Sequence, residues 1–131
     1  MKKILLTSLL ATSVLMLSAC NTAERMVNDT VQFPNQDVAW KPEGLMINQE
    51  QLRLLKTGIT KKQVYDIVGA PHYNYGFVDQ PYWDYILTVE TPMGDVSCQL
   101  AIEWVKPATR LRAPIKILHW KDPAACARFS S

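Results

Sequence analysis

Leu55-Lys56-Thr57-Gly58-Ile59-Thr60-Lys61-Lys62-Gln63-Val64-Tyr65-Asp66-Ile67-Val68-Gly69-Ala70-Pro71 is the stretch on which the fold turns. Thr60, followed three residues on by Gln63, has the spacing of a capping box, in which two N-terminal amides of a helix are satisfied reciprocally. Val64, Ile67 and Val68 then fall at i, i+3 and i+4, one apolar stripe of an amphipathic helix. Gly69-Ala70-Pro71 ends it: glycine tolerates a left-handed backbone and proline forbids continuation. Upstream, Asn48 and Gln51 repeat the box ahead of Leu52, Leu54 and Leu55, which predicts a first short helix with Gly58 as its stop. Helices of two or three turns are unstable alone, so both stripes need a surface to lie on.

That surface lies downstream. Tyr82 to Thr91, Val96 to Val105 and Pro114 to Lys121 are rich in β-branched and aromatic residues, and Pro92-Met93-Gly94-Asp95 joins the first two as a hairpin. Val96, Cys98, Leu100, Ile102 and Trp104 share one face of the second strand, with Ser97, Gln99, Ala101 and Glu103 on the other. The first strand alternates in the same way, with Trp83, Tyr85, Leu87 and Val89 opposite Asp84, Thr88 and Glu90. Such alternation fits a sheet covered by helices on one side. The third segment is mixed, with Ile115, Ile117 and His119 against Lys116, Leu118 and Trp120. The expected fold is α+β: two short helices packed on a three-stranded antiparallel sheet, ααβββ in two layers, over residues 44–131.

Outward on the other side, residues 20–43 are polar and without period, broken by Pro34 and Pro42, and read as a flexible tether. The alternative is that Phe33 and Trp40 dock on the domain as a strap. Ahead of the tether, Lys2 and Lys3 precede an uncharged run of 14 residues from Ile4 to Leu17, then Leu17-Ser18-Ala19-Cys20. The run is too short for a permanent span, which takes about 20 residues, and reads as a secretory signal over residues 1–19. Its ending resembles the lipobox of bacterial lipoproteins, which implies diacylation of Cys20 and an anchored mature protein. Asn21, in place of an aspartate that resembles an inner-membrane retention signal, sets the expected location as the periplasmic face of the outer membrane.

Without residues 1–19 the chain has 112 residues with twelve basic and twelve acidic side chains, so it is one small neutral domain, and no polycation is left for nucleic acid. The charge is uneven: residues 106–131 carry six basic groups against Asp122 alone, whereas residues 21–105 carry six against eleven acidic. A basic segment of this kind either orients the protein toward an acidic partner or surface, with Arg110 and Arg112 as candidate contacts, or is a solvated loop.

Once lipid takes Cys20, Cys98 and Cys126 remain as an even pair in an oxidising compartment, and a disulfide is their expected use. A catalytic pair requires a C-x-x-C arrangement or an activating neighbour, and the sequence has neither. His72 and His119 lack metal-ligand spacing, and no nucleophile, phosphate loop or carboxylate pair stands out, so neither an enzyme nor a cofactor or metal is expected. Pro71 to Tyr82 is rich in aromatics. Tyr73, Tyr75 and Phe77 are there as candidate partner contacts, since rings give large contact area at low entropic cost; the competing reading is that they close the small core.

The quoted stretch, with Trp83-Asp84-Tyr85 after it, resembles the signature of the SmpA/OmlA, or BamE-like, family: a Leu, a Gly-Met-Thr, a Gln-Val, a Leu-Gly-x-Pro and a Trp-x-Tyr in order. Ile59 replaces the usual Met and Val68 the usual Leu. Val96-Ser97-Cys98-Gln99 and Trp120-Lys121-Asp122-Pro123-Ala124-Ala125-Cys126 resemble the variant found ahead of OmpA-type domains, of which the sequence to Ser131 contains none. The matched positions Gly58, Thr60, Gln63, Gly69, Pro71, Trp83 and Tyr85 read as structural. The resemblance implies a lipid-anchored, non-enzymatic scaffold in outer-membrane protein assembly or envelope integrity, with envelope proteins as partners. The alternative is a periplasmic inhibitor or binding module acting on an envelope hydrolase through the aromatic loop.

Overall fold

A computed structural model describes residues 25–73 and 78–130. Both capping boxes form. In α1 (Gln49–Leu54) the Asn48 side chain accepts from the Gln51 amide and the Gln51 side chain from the Asn48 amide. In α2 (Lys61–Val68) Thr60 and Gln63 do the same, and Gly69 closes the helix at φ +78°. Gly58 is not the stop of α1. That helix ends at Leu54, because Leu55 leaves it in an extended conformation to bury its side chain in the core. Gly58, at φ +97°, instead turns the link between the helices onto the last strand, where its amide donates to the Ile115 carbonyl.

The three strands expected from the sequence form as β4 (Tyr82–Thr91), β5 (Gly94–Trp104) and β6 (Ile115–Trp120), but the sheet has four. The extra strand, β3 (Leu45–Asn48), lies parallel to β4, Leu45 opposite Leu87 and Asn48 opposite Glu90, in the order β3-β4-β5-β6. Four residues running directly into a helix cap carry no usable alternation; β3 exists because the α1–α2 crossover returns the chain beside it. Gly44, at φ +70°, precedes it so closely against the Ile86 carbonyl that a Cβ there would collide. A second, two-stranded sheet pairs β1 (Met26–Val27) with β2 (Thr30–Val31).

The helices cover the face that carries Trp83, Tyr85, Leu87, Leu100, Ile102 and Trp104, against which Leu52, Leu55, Val64 and Val68 are buried. Trp83 and Trp104 meet edge to face, 5.0 Å between centroids, in the T-shaped geometry that aromatic quadrupoles favour. A register shift between Glu103 and Trp104 explains the mixed pattern of the third strand. Ile115 pairs with Trp104 before it and Leu118 with Ile102 after it, so both face the core although three residues apart.

The opposite face is covered as well. Asp84, Ile86, Gln99 and Ala101 on it are all buried, beneath residues 25–43. Over residues 25–43 the expected tether is therefore a strap, the alternative that the two aromatics had left open. It begins with the β1–β2 hairpin, passes a 3-10 turn at Gln36–Val38, and buries Val31 and Ala39. Trp40 fastens its end: the indole donates to the Pro71 carbonyl at 2.7 Å and the Trp40 amide to the His72 carbonyl at 3.0 Å. Aperiodic polar sequence conceals this because the strap is held by one ion pair, single hydrogen bonds and two small apolar contacts, with no repeating stripe.

Candidate functional site

The chemistry-bearing side chains gather at one end of the sheet, where β4 starts, β5 finishes and β6 begins. On the strap face, the Arg25 guanidinium forks onto both oxygens of Asp84, at 2.7 and 2.8 Å, and lies over the Tyr82 ring at 4.6 Å. Burial pushes the Asp84 carboxyl up, and the bonds from Arg25 draw it back without reversing the shift. One strand along, Glu103 accepts from His119 at 2.9 Å and meets Lys116 at 3.3 Å. Burial raises the Glu103 pKa but the His119 and Lys116 contacts outweigh it, leaving the group below its ordinary value.

Two buried cation or imidazole sites escape sequence reasoning. Lys61, the first residue of α2 and fully buried, donates from Nζ to the carbonyls of Val78, Gln80 and Ala108, and sits 5.4 Å from the centroids of both Trp83 and Trp104. Burial lowers its pKa to about 8, with Asp79 opposing, so it remains an ammonium at neutral pH. It ties α2 to two loops that are 17 and 47 residues away. His72 is also buried. Its Nδ1 accepts from the Ile86 amide at 2.9 Å while its own amide donates to Asp84 O at 2.8 Å, so it continues the edge pairing of β4 where β3 has not begun. Burial, then the nearby Lys41, lower its pKa to about 4. Neither residue has a local signal, since the hydrogen-bond partners of both side chains are backbone groups distant in sequence.

Beyond this end, residues 105–114 form a loop with Lys106, Arg110 and Arg112 exposed and with Val105 and Leu111 partly uncovered. Val105, Lys106, Pro107, Arg110, Arg112 and Pro114 line an open depression of about 310 Å³ in it. None of the three cations forms an ion pair with a described residue.

Of the residues singled out from the sequence, Cys20, Tyr75 and Phe77 lie outside the described residues. Tyr73 is buried, 3% exposed, and its hydroxyl meets Pro34 O and Gln99 under the strap, so it closes the core and is not a surface contact. Arg110 and Arg112 are exposed side by side. The Cys98 and Cys126 sulfurs lie at bonding distance, 2.08 Å, fastening the C-terminal turn to β5. Trp83 and Tyr85 are core residues, and the Tyr85 hydroxyl donates to Gly69 O at 2.8 Å, locking strand to helix end. Among the described residues, no three His, Cys, Asp or Glu side chains come together as a metal site, and no helix is long and apolar enough to cross a membrane.

Residues 44–108, from the turn before β3 through Lys61's last acceptor, match the family described as the outer membrane protein assembly factor BamE domain. No curated protein and no solved structure matches the chain.

Proposed function

Residues 44–108 belong to the BamE-like family, and from that premise we propose that this chain is a lipid-anchored, non-enzymatic accessory module of outer-membrane protein assembly, working from the periplasmic face. The family match carries this reading; it spans both capping boxes, the helix crossover and the β4–β5 hairpin, the parts that define the domain. In this reading the domain presents rigid surfaces to larger components. The arrangement suits that: both faces of the sheet are covered, buried Lys61 and His72 hold loops and the β4 edge through backbone carbonyls and amides, and the exposed features include a basic loop and sheet edges. Residues 44–131 with the strap over 25–43 make up the working domain in this reading, and Cys20 carries the lipid that keeps it at the membrane.

The competing inhibitor reading relied on aromatic side chains of the 71–82 connection, and burial of Tyr73 removes one of them from any contact surface. Affinity purification of the tagged full chain from detergent-solubilised outer membranes decides the matter. Recovery of barrel-assembly components supports the proposal; recovery of a cell-wall hydrolase in their place overturns it.

A further inference from the structure

The sheet ends at β6, and the pairing of that strand fixes which of its backbone groups are left over. The Lys121 amide donates to the Gln99 carbonyl, and in an antiparallel ladder residues two apart turn their backbone groups the same way. His119 and Ile117 therefore pair inward with Ala101 and Glu103 of β5, while Leu118 and Trp120 point their amides and carbonyls outward. Nearer the start of the strand the outward side is closed, since Ile115 bonds to Gly58 and Ile59 of the inter-helix link. The outward groups of Leu118 and Trp120 have no hydrogen-bond partner among the described residues. Proteins ordinarily blunt such an edge with a lysine or a proline in the strand; Ile117-Leu118-His119-Trp120 contains neither. Beside it an open groove of about 670 Å³ runs between β6 and the strap, with Thr30, Gln32, Phe33, His119 and Lys121 in its walls.

We infer that this edge takes the same edge of a second copy, β6 antiparallel to β6 about a twofold axis at His119, joining two four-stranded sheets into one. Self-complementarity selects the occupant. In that register Leu118 stands opposite the partner's Trp120 and Trp120 opposite the partner's Leu118, so each copy satisfies the amides and carbonyls that the other leaves unused. Their side chains, which lie on the helix face against the core, make two Leu–Trp contacts of the cross-strand kind that stabilises sheets. On the strap face Ile117, 40% exposed in the single chain, comes opposite the partner's Lys121 and is covered by its alkyl stem. Continuing the register brings exposed Lys116 to the partner's Asp122, a pair of opposite charges. Every contact occurs twice, as an isologous interface requires. The axis is normal to the sheet, so the strap faces of both copies look the same way. Arg25 lies over the Tyr82 ring at 4.6 Å, and that ring is 6.3 Å from the His119 ring. Both copies' Arg25 therefore stand near the axis on one side, the placement that two chains acylated at Cys20 in one membrane need. The pairing itself does not require the acylation.

The test is oxidative cross-linking of the full chain in cells that carry it with two tags of different size, so that a mixed pair of this chain is recognised. His119 sits opposite itself in a non-hydrogen-bonded pair, where Cα atoms are about 4.5 Å apart, within disulfide reach. His119→Cys should therefore give the mixed-tag covalent dimer. Ile117→Cys stands four residues from its own copy along the strand, about 13 Å, and should give about tenfold less or lower still. Met93→Cys, 86% exposed at the far hairpin, should behave like Ile117→Cys. A second measurement needs no variant: in the native chain the amides of Leu118 and Trp120 should exchange about tenfold more slowly as its concentration rises from about 1 μM to about 1 mM. Cross-linking at all three positions alike, a covalent product with a different protein in place of the mixed-tag dimer, or exchange at Leu118 and Trp120 that ignores concentration overturns the inference. Each of these leaves the accessory role proposed above standing.

Discussion

Acid should loosen this domain through His72. The imidazole is 2% exposed and must be neutral at Nδ1 to accept the Ile86 amide; burial and Lys41 lower its pKa from 6.5 to about 4. The unfolded chain binds a proton near pH 6.5 that the folded chain refuses until about pH 4, so the stabilisation is complete above pH 6.5 and is lost as pH falls through that window. Each pKa unit corresponds to 1.36 kcal/mol. The loss attributable to this one residue is then about 2 kcal/mol at pH 5 and about 3 kcal/mol at pH 3. Urea unfolding followed by tryptophan fluorescence across pH 7 to 3, for the native chain and for His72→Asn, measures it. Asparagine places an acceptor oxygen where Nδ1 stands but does not titrate, and carboxylates such as Asp84 and Glu103 contribute equally to both proteins and cancel in the difference. The native chain should lose about 2 kcal/mol more than the variant between pH 7 and 5. Parallel pH profiles would refute the assignment of His72 as a neutral backbone acceptor.

Three further outcomes follow from the same geometry. Arg25→Ala leaves the Asp84 carboxylate buried beneath the strap without its fork; a loss of about 3 kcal/mol, with amide exchange accelerated first over residues 25–39, is expected, and uniform acceleration over the whole domain contradicts a separable strap. Lys61→Met keeps the stem but strands three carbonyls and removes the cation between Trp83 and Trp104, and should cost about 3 kcal/mol in denaturant titrations; a variant as stable as the native chain shows that the ammonium is replaceable by apolar packing. Replacing Cys98 and Cys126 together by serine opens a loop of 28 residues in sequence separation and should lower stability by about 3 kcal/mol, whereas an unchanged midpoint under oxidising and reducing conditions alike means the bond contributes nothing.

Much of the domain can be read along the chain because its signals are local. A capping box is a relation between residues three apart, an amphipathic stripe one between residues three and four apart, and strand alternation one between residues two apart, so α1, α2, β4 and β5 announce themselves. The pairing of Cys98 and Cys126 is legible for a different reason, a count of cysteines over the whole chain. Gly58 shows the limit of such reading: its left-handed backbone was foreseeable, yet its place, turning the inter-helix link onto β6, depends on where Leu55 finds the core.

The sites follow a different rule. Lys61 looks like any first-turn lysine until three carbonyls from two other loops close over it, and Tyr73 looks like an exposed aromatic until Pro34 and Gln99 meet its hydroxyl. Strand β3 and the strap are hidden for one reason: each is held by pairing with groups dozens of residues away, and neither carries a period of its own. Local propensity settles the helices and the central hairpin. Which face is sealed and which loops are tied to one another were decided by contacts between distant segments, because burial and desolvation are properties of the packed molecule.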